Sequence, residues 1–576
     1  MSDLRNTQTA LRKGETVELD VTEINNLGSG VAHASDGRVV FIRGALTGER
    51  VRATIIKATS SFYVAKLDRV LSPSPYRLPD DAADCGTGES CGGCIYRHIT
   101  YEHELELKQN YVKNAFCKVG LSDVTVEPVR STGACADYRN KAQYPVGKMG
   151  GRVMAGFYAT KSHTILPAEG CLLQPLVFSD IVRVICDFCT EQNVTVYNEQ
   201  SSKGLLRHIY LRYGQNSGEI MVCLVINGES FPKAAALIDK LTADFPAIAS
   251  ILLNHNTKNT NVVLGDRYTT LYGRAYIEDV LCGCRFRIAP DAFYQVNHDG
   301  AELLYGIAAE RAALSGNETL LDLYCGIGTI GMSMASRTGK LIGVEIVPAA
   351  VECAKQNAEA NGLENADFRC ADAGDPATLL SCLGDTTPDV VILDPPRKGS
   401  TNELIDALSA RGISRIVYIS CDPDTLARDC VRFREDGYEI GTVTPVDMFP
   451  RTGHVESVVL LSRKHNVHHM NLTPFPFAMI KSGQKTIELR LLDEKRQQIK
   501  VGDEIVFTST ASSETLNKTV VKLHRFDSFE ELYRALPLLQ CGYTTEDLHT
   551  AHPSDMERYY PVEEQEKYGV VGIELC

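Results

Sequence analysis

The feature that most restricts the fold of this chain is an alternation that begins near Asn317. Short apolar strands, "TLLDLYC", "KLIGVEI", "DVVILDPP" and "RIVYISC", are separated by helical stretches such as "VPAAVECAKQNAEANG". Strands that are apolar throughout are buried on both faces, and strands joined through helices run parallel. The expected product is a Rossmann-like α/β sheet covered on both sides, with ligands outside the carboxyl ends of its strands. Glu345, Asp394 and Cys421 each stand at such an end. A cysteine before Asp422-Pro423, in "RIVYISCDPD", is either core filler or a nucleophile aimed into a cleft, because a buried thiol usually behaves as a small hydrophobe.

The strand "TLLDLYC" runs into Gly326-Ile327-Gly328 and then a helix. Such glycines allow a tight turn and close approach of a ligand to the backbone. The string from Gly326 to Gly331 also satisfies GxGxxG, so the turn by itself does not exclude a dinucleotide. Glu345 is more informative. An acid closing the next strand, about twenty residues on, accepts hydrogen bonds from both hydroxyls of a ribose. Its alternative role is to cap a helix. Glycine turn, terminal acid and Asp394-Pro395-Pro396 together resemble the S-adenosylmethionine-dependent methyltransferase fold more than a dinucleotide dehydrogenase.

Length and pattern divide the rest. A chain of 576 residues is long enough for three or four domains with their own cores. Residues 1–72 alternate apolar and polar positions between turns such as "NNLGSG", as in a small β-barrel or sandwich. Residues 73–290 mix short strands with helices and hold a cysteine-rich loop, residues 291–465 carry the parallel sheet, and residues 466–576 begin again as a short β-rich unit. No apolar run reaches the length of a membrane span, and the polar start "MSDLRNTQTALRKGE" has no secretory h-region, so a cytoplasmic protein is expected. The net charge of −14 argues against a wholly basic nucleic-acid coat but not against local basic surfaces.

Nineteen cysteines in so long a chain do not suggest a small disulfide scaffold. Cys85, Cys91 and Cys94 in "DCGTGESCGGC" are a metal or cluster signal, and thiolates suit both zinc and an iron–sulfur cluster. The spacing is not C-x3-C-x2-C, which argues against a radical enzyme. Cys186 and Cys189 form another CxxC, but they fall in a helical pattern and read as core residues, as do Cys282 and Cys284 as structural ones.

Taken with "SCDP" around Cys421 and "TGHVESVVLL" around Glu456, these motifs resemble the RNA uracil-5-methyltransferase family from about residue 11 to 463. "YRNKAQYPV" (Arg139, Asn140, Lys141) and "DAFYQVN" (Gln295, Asn297) match further signatures of that family. The resemblance implies an N-terminal TRAM domain, an OB-like RNA-binding barrel. It implies that Gln295, Tyr324, Glu345 and Asp394 bind S-adenosyl-L-methionine, that Cys421 is the nucleophile, and that Glu456 removes the C5 proton. It also implies a [4Fe–4S] cluster on Cys85, Cys91, Cys94 and Cys171, with zinc as the alternative. Taken singly, Glu456 reads equally as a surface carboxylate and Asp394 as a strand cap.

"MNLTPFPFAMIKSGQKTIELRLLDEKRQQIKVGDEIVF" resembles an ASCH domain, a PUA-like β-barrel, in which Lys481, Lys485 and Arg490 beside Glu488 are candidate phosphate contacts or a solvated face. The expected architecture is multidomain: OB-like barrel, central α+β domain with an iron–sulfur loop, Rossmann-like methyltransferase domain and PUA-like barrel. The expected substrate is RNA, 23S ribosomal RNA in preference to uridine 54 of tRNA, with no membrane and no obligate protein partner. RNA cytosine-5-methylation and a non-catalytic role in RNA assembly are the other classes.

Overall fold

The computed structural model describes residues 10–79, 85, 91–167, 169–464 and 466–576. The first nine residues and the stretch between Cys85 and Cys91 lie outside these.

Five strands, β1 (Thr16–Ile24), β2 (Ser29–His33), β3 (Val39–Arg43), β4 (Arg50–Ala58) and β5 (Phe62–Ser72), close into a barrel in the order β1-β2-β3-β5-β4. Alternation places Val40, Ile42, Val51, Ala53, Ile55 and Tyr63 inside with no exposed area. The barrel seats on the cysteine-rich loop. The Arg43 guanidinium donates to the Cys91 carbonyl at 3.2 Å, and a Cβ on Gly28 would stand 2.9 Å from Ile95 Cβ.

Helix α1 (Tyr101–Lys118) follows. Strands β6 (Lys141–Met149), β7 (Arg152–Tyr158) and β8 (Ile165–Pro167), helix α2 (Leu176–Glu191), strands β9 (Leu206–Tyr213) and β10 (Ile220–Ile226), helix α3 (Ala234–Asp244), and strands β11 (Ile248–His255) and β12 (Arg267–Gly273) build a seven-stranded sheet ordered β12-β11-β10-β9-β6-β7-β8. Its α2/α3 face closes over Phe178, Ile185, Cys189, Leu211 and Val222. Cys186 and Cys189 are thus buried core residues, as their helical placement predicts. The other face, with Tyr210, Met221, Cys223 and Leu252, joins a core shared with the hairpin β13 (Ile277–Leu281) and β14 (Cys284–Ile288) and with α4 (His298–Ala312).

The predicted alternation then appears as β15 (Thr319–Leu323), α5 (Thr329–Met334), β16 (Lys340–Glu345), α6 (Pro348–Ala360), β17 (Ala366–Cys370), α7 (Pro376–Leu383), β18 (Val390–Leu393), α8 (Asn402–Ala410), β19 (Arg415–Ser420) and α9 (Pro423–Glu435). Strands β20 (Tyr438–Ile440), β21 (Thr444–Val446) and β22 (Glu456–Arg463) complete it. The order is β17-β16-β15-β18-β19-β22-β20 with β21 on β22; β15 to β19 are parallel, and β22 runs antiparallel to β19. Apolar cores cover both faces, which is why these strands read as continuous hydrophobic runs.

The last unit comprises β23 (Val467–Leu472), α10 (Pro474–Ser482), β24 (Ile487–Leu491), β25 (Glu504–Ser509), β26 (Thr515–Phe526), α11 (Phe529–Ala535), α12 (Val562–Tyr568) and β27 (Val570–Leu575). Its five strands are ordered β23-β25-β26-β27-β24 around two apolar clusters. Among the described residues, no helix is long and apolar enough to cross a membrane.

Candidate active site

Register decides which side chains meet. Leu323 pairs with Val344 and with Leu393, and Leu393 pairs with Tyr418, so Tyr324, Glu345, Asp394 and Cys421 line one edge of the parallel sheet. The connection from β19 to α9 is only Cys421 and Asp422. Asp422 caps α9 by accepting from the Asp424 and Thr425 amides at 3.0 and 3.1 Å, with Pro423 at the first helical position. The Asp-Pro step that ends the strand therefore starts a helix at once and leaves Cys421 at the tip. In the antiparallel ladder, Ser420 faces Ser457, and the next pair in register is Cys421 with Glu456. Nucleophile candidate and base candidate stand opposite one another on neighbouring strands.

Their electrostatics agree with that proximity. Burial pushes the Cys421 thiol up to about 11, helped by the Glu456 and Asp394 carboxyls and opposed by Arg397. Glu456 is 6% exposed, and burial plus the Asp394 charge push its carboxyl up to about 8, again against Arg397. Burial alone takes Asp394 up to about 7. Glu456 is thus no surface carboxylate. Arg397, in the same Asp-Pro-Pro-Arg turn, is the cation acting on both reactive groups, and the "DPPR" string is the only signal that would have found it.

The glycine turn has the shape of a ligand cradle. Gly328 adopts φ +88°, and a Cβ there would stand 2.6 Å from Met332 Cε; a Cβ on Gly326 would point into open space. Tyr324 holds φ +63°, rare for a bulky residue, at the same bend. Glu345 accepts from the amides of Gly326 and Val347 at 3.1 and 2.9 Å, so it spans from the glycine turn to the start of α6. Ile346 and Val347 beside it are exposed apolar residues. Beneath the turn lies Asp322, absent from the sequence reading. Its Oδ2 accepts from the Gly331 amide at 2.8 Å, its buried Oδ1 has no partner, and burial pushes the carboxyl up to about 7. Gln295 comes from a separate loop: Asn140 Nδ2 donates to its carbonyl at 2.9 Å, and Asn297 Nδ2 donates to the Met448 carbonyl at 3.0 Å.

A second constellation lies apart from the sheet edge. Cys85, Cys91, Cys94 and Cys171 line one cavity of about 460 Å³ together with Arg97, Arg139, Arg451 and a fifth thiol, Cys135. The thiols feel one another: burial and the neighbouring Cys171, Cys91 and Cys85 push Cys94 up to about 12. Cys171, distant in sequence from Cys85, Cys91 and Cys94, therefore belongs to the same place as they do. Among the described residues, no three ligand-type side chains stand as a ready site for a single metal ion.

In the C-terminal unit the reading of a phosphate contact or solvated face needs correction. Glu488 is 1% exposed and ion-paired with Lys485 at 2.8 Å and Arg490 at 2.5 Å, while Lys481 pairs with Glu514 at 2.5 Å. The charges of Lys485 and Arg490 are spent inside the barrel, because an unpaired Glu488 there would cost more than the two cations lose.

A parallel sheet with a glycine-rich bend, an acid on the next strand and a thiol at the tip of a fourth defines a Rossmann-like transferase for an adenosyl donor. Comparison with known sequences places it further. Residues 235–464 match the tRNA (uracil-5-)-methyltransferase family, residues 10–67 the TRAM domain and residues 470–575 the ASCH domain. An uncharacterized RNA methyltransferase of Bacillus cereus is 40% identical over 454 residues, 79% of this chain and 98% of that one. One from Clostridium acetobutylicum is 39% identical over 456 residues, 79% and 98% of the two chains. Among solved structures, the Pyrococcus abyssi tRNA (uracil-54, C5)-methyltransferase in complex with S-adenosyl-L-homocysteine superimposes with a TM-score of 0.63 at 26% identity, covering 77% of this chain and 99% of that one. The chain belongs to the S-adenosylmethionine-dependent RNA (uracil-5-)-methyltransferase family, and it carries a TRAM and an ASCH domain.

Proposed function

We propose that the protein methylates C5 of a uridine in RNA through a covalent bond between Cys421 and C6 of the base. The observation that carries this reading is the register that sets Cys421 opposite Glu456, with Asp394 and Arg397 acting on both. Uracil C5 is too weak a nucleophile to take a methyl group unaided. Addition of the Cys421 thiolate to C6 turns the ring into an enolate whose electron pair is available at C5. When bound, S-adenosylmethionine supplies the electrophilic methyl group. After C5 has accepted it, Glu456 as carboxylate removes the C5 proton, the C5–C6 double bond re-forms, and Cys421 leaves as thiolate. The base has to leave its stack to reach a thiol at a strand tip.

Glu345, Tyr324, Asp394 and Gln295 are the residues proposed to hold the donor. The open bend at Gly326 and the unpaired Asp322 Oδ1 beneath it fit such a ligand. Cys85, Cys91, Cys94 and Cys171 are proposed to hold a [4Fe–4S] cluster. The supporting observation is that the four thiols line one cavity of about 460 Å³, with Cys94 feeling the other three. The cluster's role in this reading is to shape the surface beside Arg97, Arg139 and Arg451.

Large-subunit ribosomal RNA is the proposed substrate, by analogy with family members that combine a TRAM domain with a cluster. The tRNA activity of the Pyrococcus abyssi relative favours tRNA as the second reading. Incubation with 5-fluorouridine-substituted RNA and donor is expected to leave an RNA adduct that survives denaturation, and Cys421→Ala is expected to abolish it. A folded, donor-binding protein that forms no adduct with either ribosomal or transfer RNA would defeat the mechanism. Mapping 5-methyluridine in both RNAs from a deletion strain decides the substrate.

A further inference from the structure

Strands β6 and β9 contain an arrangement that folding alone disfavours. Lys141 and Arg212 are directly paired in the antiparallel ladder. Side chains so placed have Cβ atoms about 4.5–5.5 Å apart, and like charges there are destabilising. Arg212 is 1% exposed and Lys141 half-buried, and among the described residues neither has an ion-pair partner. Arg212 donates through Nε to Tyr210 Oη at 2.9 Å and through Nη2 to the Ala292 carbonyl at 2.8 Å; its buried Nη1 has no acceptor. Arg139, two residues before Lys141, adds a third cation whose buried Nε also lacks a partner. Burial, then Arg212 and Arg139, hold the Lys141 ammonium down to about 8, the direction expected of a cation missing its anion.

The position of this pair matters as much as its charge. Ala142 and Leu211, the neighbours of Lys141 and Arg212, point into the α2/α3 core, so the cations occupy the opposite face, toward the methyltransferase sheet. That face carries the loop Ala292–Asn297, on which Phe293 is 64% exposed and Gln295 is hydrogen-bonded through its carbonyl to Asn140. A local rule broken without compensation inside the protein is expected where a ligand supplies the missing group. The ligand here has to be an anion that comes within reach of the donor loop, and RNA offers one at every nucleotide.

We infer that Lys141, with the buried Arg212 behind it and Arg139 beside it, forms the seat for one phosphodiester of the RNA strand next to the nucleotide that enters the Cys421 cleft. This rests on the RNA-uridine reading above and adds to it a specific anchor on the central sheet, outside the TRAM barrel. Lys141, as the outer member of the pair, gives the cleaner substitution; Arg212 also holds the Ala292 carbonyl directly and the Pro290 carbonyl through Tyr210, and is expected to be needed for folding.

The test is equilibrium binding of a fluorescein-labelled stem–loop RNA with uridines in its loop to the full chain between 50 and 400 mM KCl. Losing one phosphate contact on a single strand lowers the slope of log affinity against log salt by about 0.7, or about fivefold in affinity near 0.1 M. Lys141→Gln is expected to show that loss with S-adenosyl-L-homocysteine affinity unchanged, and Lys141→Arg to keep the wild-type slope. Replacing loop phosphates one at a time by methylphosphonate should reveal one position at which Lys141→Gln has no further effect. Lys141→Met is expected to melt at a higher temperature than wild type in the absence of RNA, because it removes half of an uncompensated pair. An unchanged salt slope overturns the proposal, and so does a parallel fall in donor affinity, which would assign the anion to the donor's carboxylate. Wild-type protein that binds RNA steeply but forms no 5-fluorouridine adduct would sink the uridine mechanism while leaving this seat standing. Adduct formation with an unaltered slope in Lys141→Gln would sink the seat alone.

Discussion

Glu456→Gln separates the chemical role of this carboxyl from its cost to the fold. The side chain is 6% exposed, has no hydrogen-bond partner among the described residues, and is pushed up to about 8 from an ordinary 4.5. At pH 7 the folded chain therefore keeps a proton on a group that the unfolded chain would release. Each tenfold of proton affinity is worth roughly 1.4 kcal/mol, which puts the cost at about 3 kcal/mol at pH 7 and about 5 kcal/mol above pH 8, as upper values. The sign follows from the raised proton affinity: the wild-type protein has its full stability below pH ~4.5 and loses it as pH rises to about 8. A glutamine has no proton to lose and leaves no partner unsatisfied, so the variant should match wild type near pH 4.5 and exceed it increasingly up to pH 8.

Differential scanning calorimetry at pH 5, 7 and 9, following the transition of the methyltransferase sheet, reads this difference directly. The same substitution removes the acceptor of the C5 proton. Turnover should fall about 10²–10⁴-fold, and the Cys421 adduct should accumulate on unmodified RNA, visible as a slow band in a denaturing gel. A stability difference that is the same at all three pH values, or a variant less stable at pH 9, would refute the electrostatic argument. Turnover at the wild-type rate would refute the base assignment.

Single-turnover release of methylated RNA should accelerate from pH 6 to 9, because the Cys421 thiol near 11 has to lose its proton for attack and the Glu456 carboxyl near 8 for the elimination that follows; a flat profile would count against thiolate attack. Lys108→Met should cost about 3–5 kcal/mol in urea denaturation, since Glu104 and Asp447 each stand 2.7 Å from Lys108 Nζ, and its loss leaves Asp447 buried without an ion pair and Glu104 with only Arg451 at 3.5 Å; a loss below about 1 kcal/mol would contradict this. Glu488→Gln should likewise destabilise the C-terminal barrel by leaving Lys485 and Arg490 unpaired, with no change in its transition as the disproving result. Cys94→Ser, purified anaerobically, should lose the brown absorbance expected of a cluster, and a colourless wild-type protein with bound zinc would overturn the cluster assignment.

The edge of the parallel sheet was legible in the sequence because buried strands are apolar throughout and their polar terminal residues stand out. Glu345, Asp394 and Cys421 needed only the period of the pattern. The meeting of Cys421 with Glu456 needed a register between strands separated by a helix and two short strands, and no local signal encodes that. Buried charges were the main blind spot. Nothing in the charges of "YEHELELKQ" marks them as buried, yet Glu104 and Lys108 are 0 and 1% exposed, and Lys485 and Glu488 are buried likewise. Charge spacing on one element cannot show that a partner waits on another. Lys141 opposite Arg212 gives no local signal for the same reason, and neither does Cys135 beside the four clustered cysteines.

Those buried charges explain how a base without hydrogen bonds of its own keeps its place. Glu456 follows the segment Asp447–Arg451, and nearly every polar group of that segment is held from elsewhere. Asp447 accepts from Lys108 and from Tyr101 at 2.8 Å, the Met448 carbonyl from Asn297, and the Phe449 carbonyl from Lys108 at 3.2 Å. Tyr138 Oη donates to the Pro450 carbonyl at 2.9 Å, the Arg451 amide donates to Glu104 at 2.7 Å, and the Tyr96 amide donates to the Arg451 carbonyl at 3.1 Å. These partners lie on α1, on the cysteine loop, on the segment just before β6, and on the loop that carries Gln295 and Asn297. Arg451, at φ +70°, also lines the cysteine cavity. A carboxyl pushed up to about 8 by burial would gain by swinging toward water, and this segment denies it that movement. The rigidity that keeps Glu456 buried and proton-avid is thus supplied by residues outside the methyltransferase sheet. In the proposed mechanism, that gives the central region a part in the chemistry through the placement of Glu456.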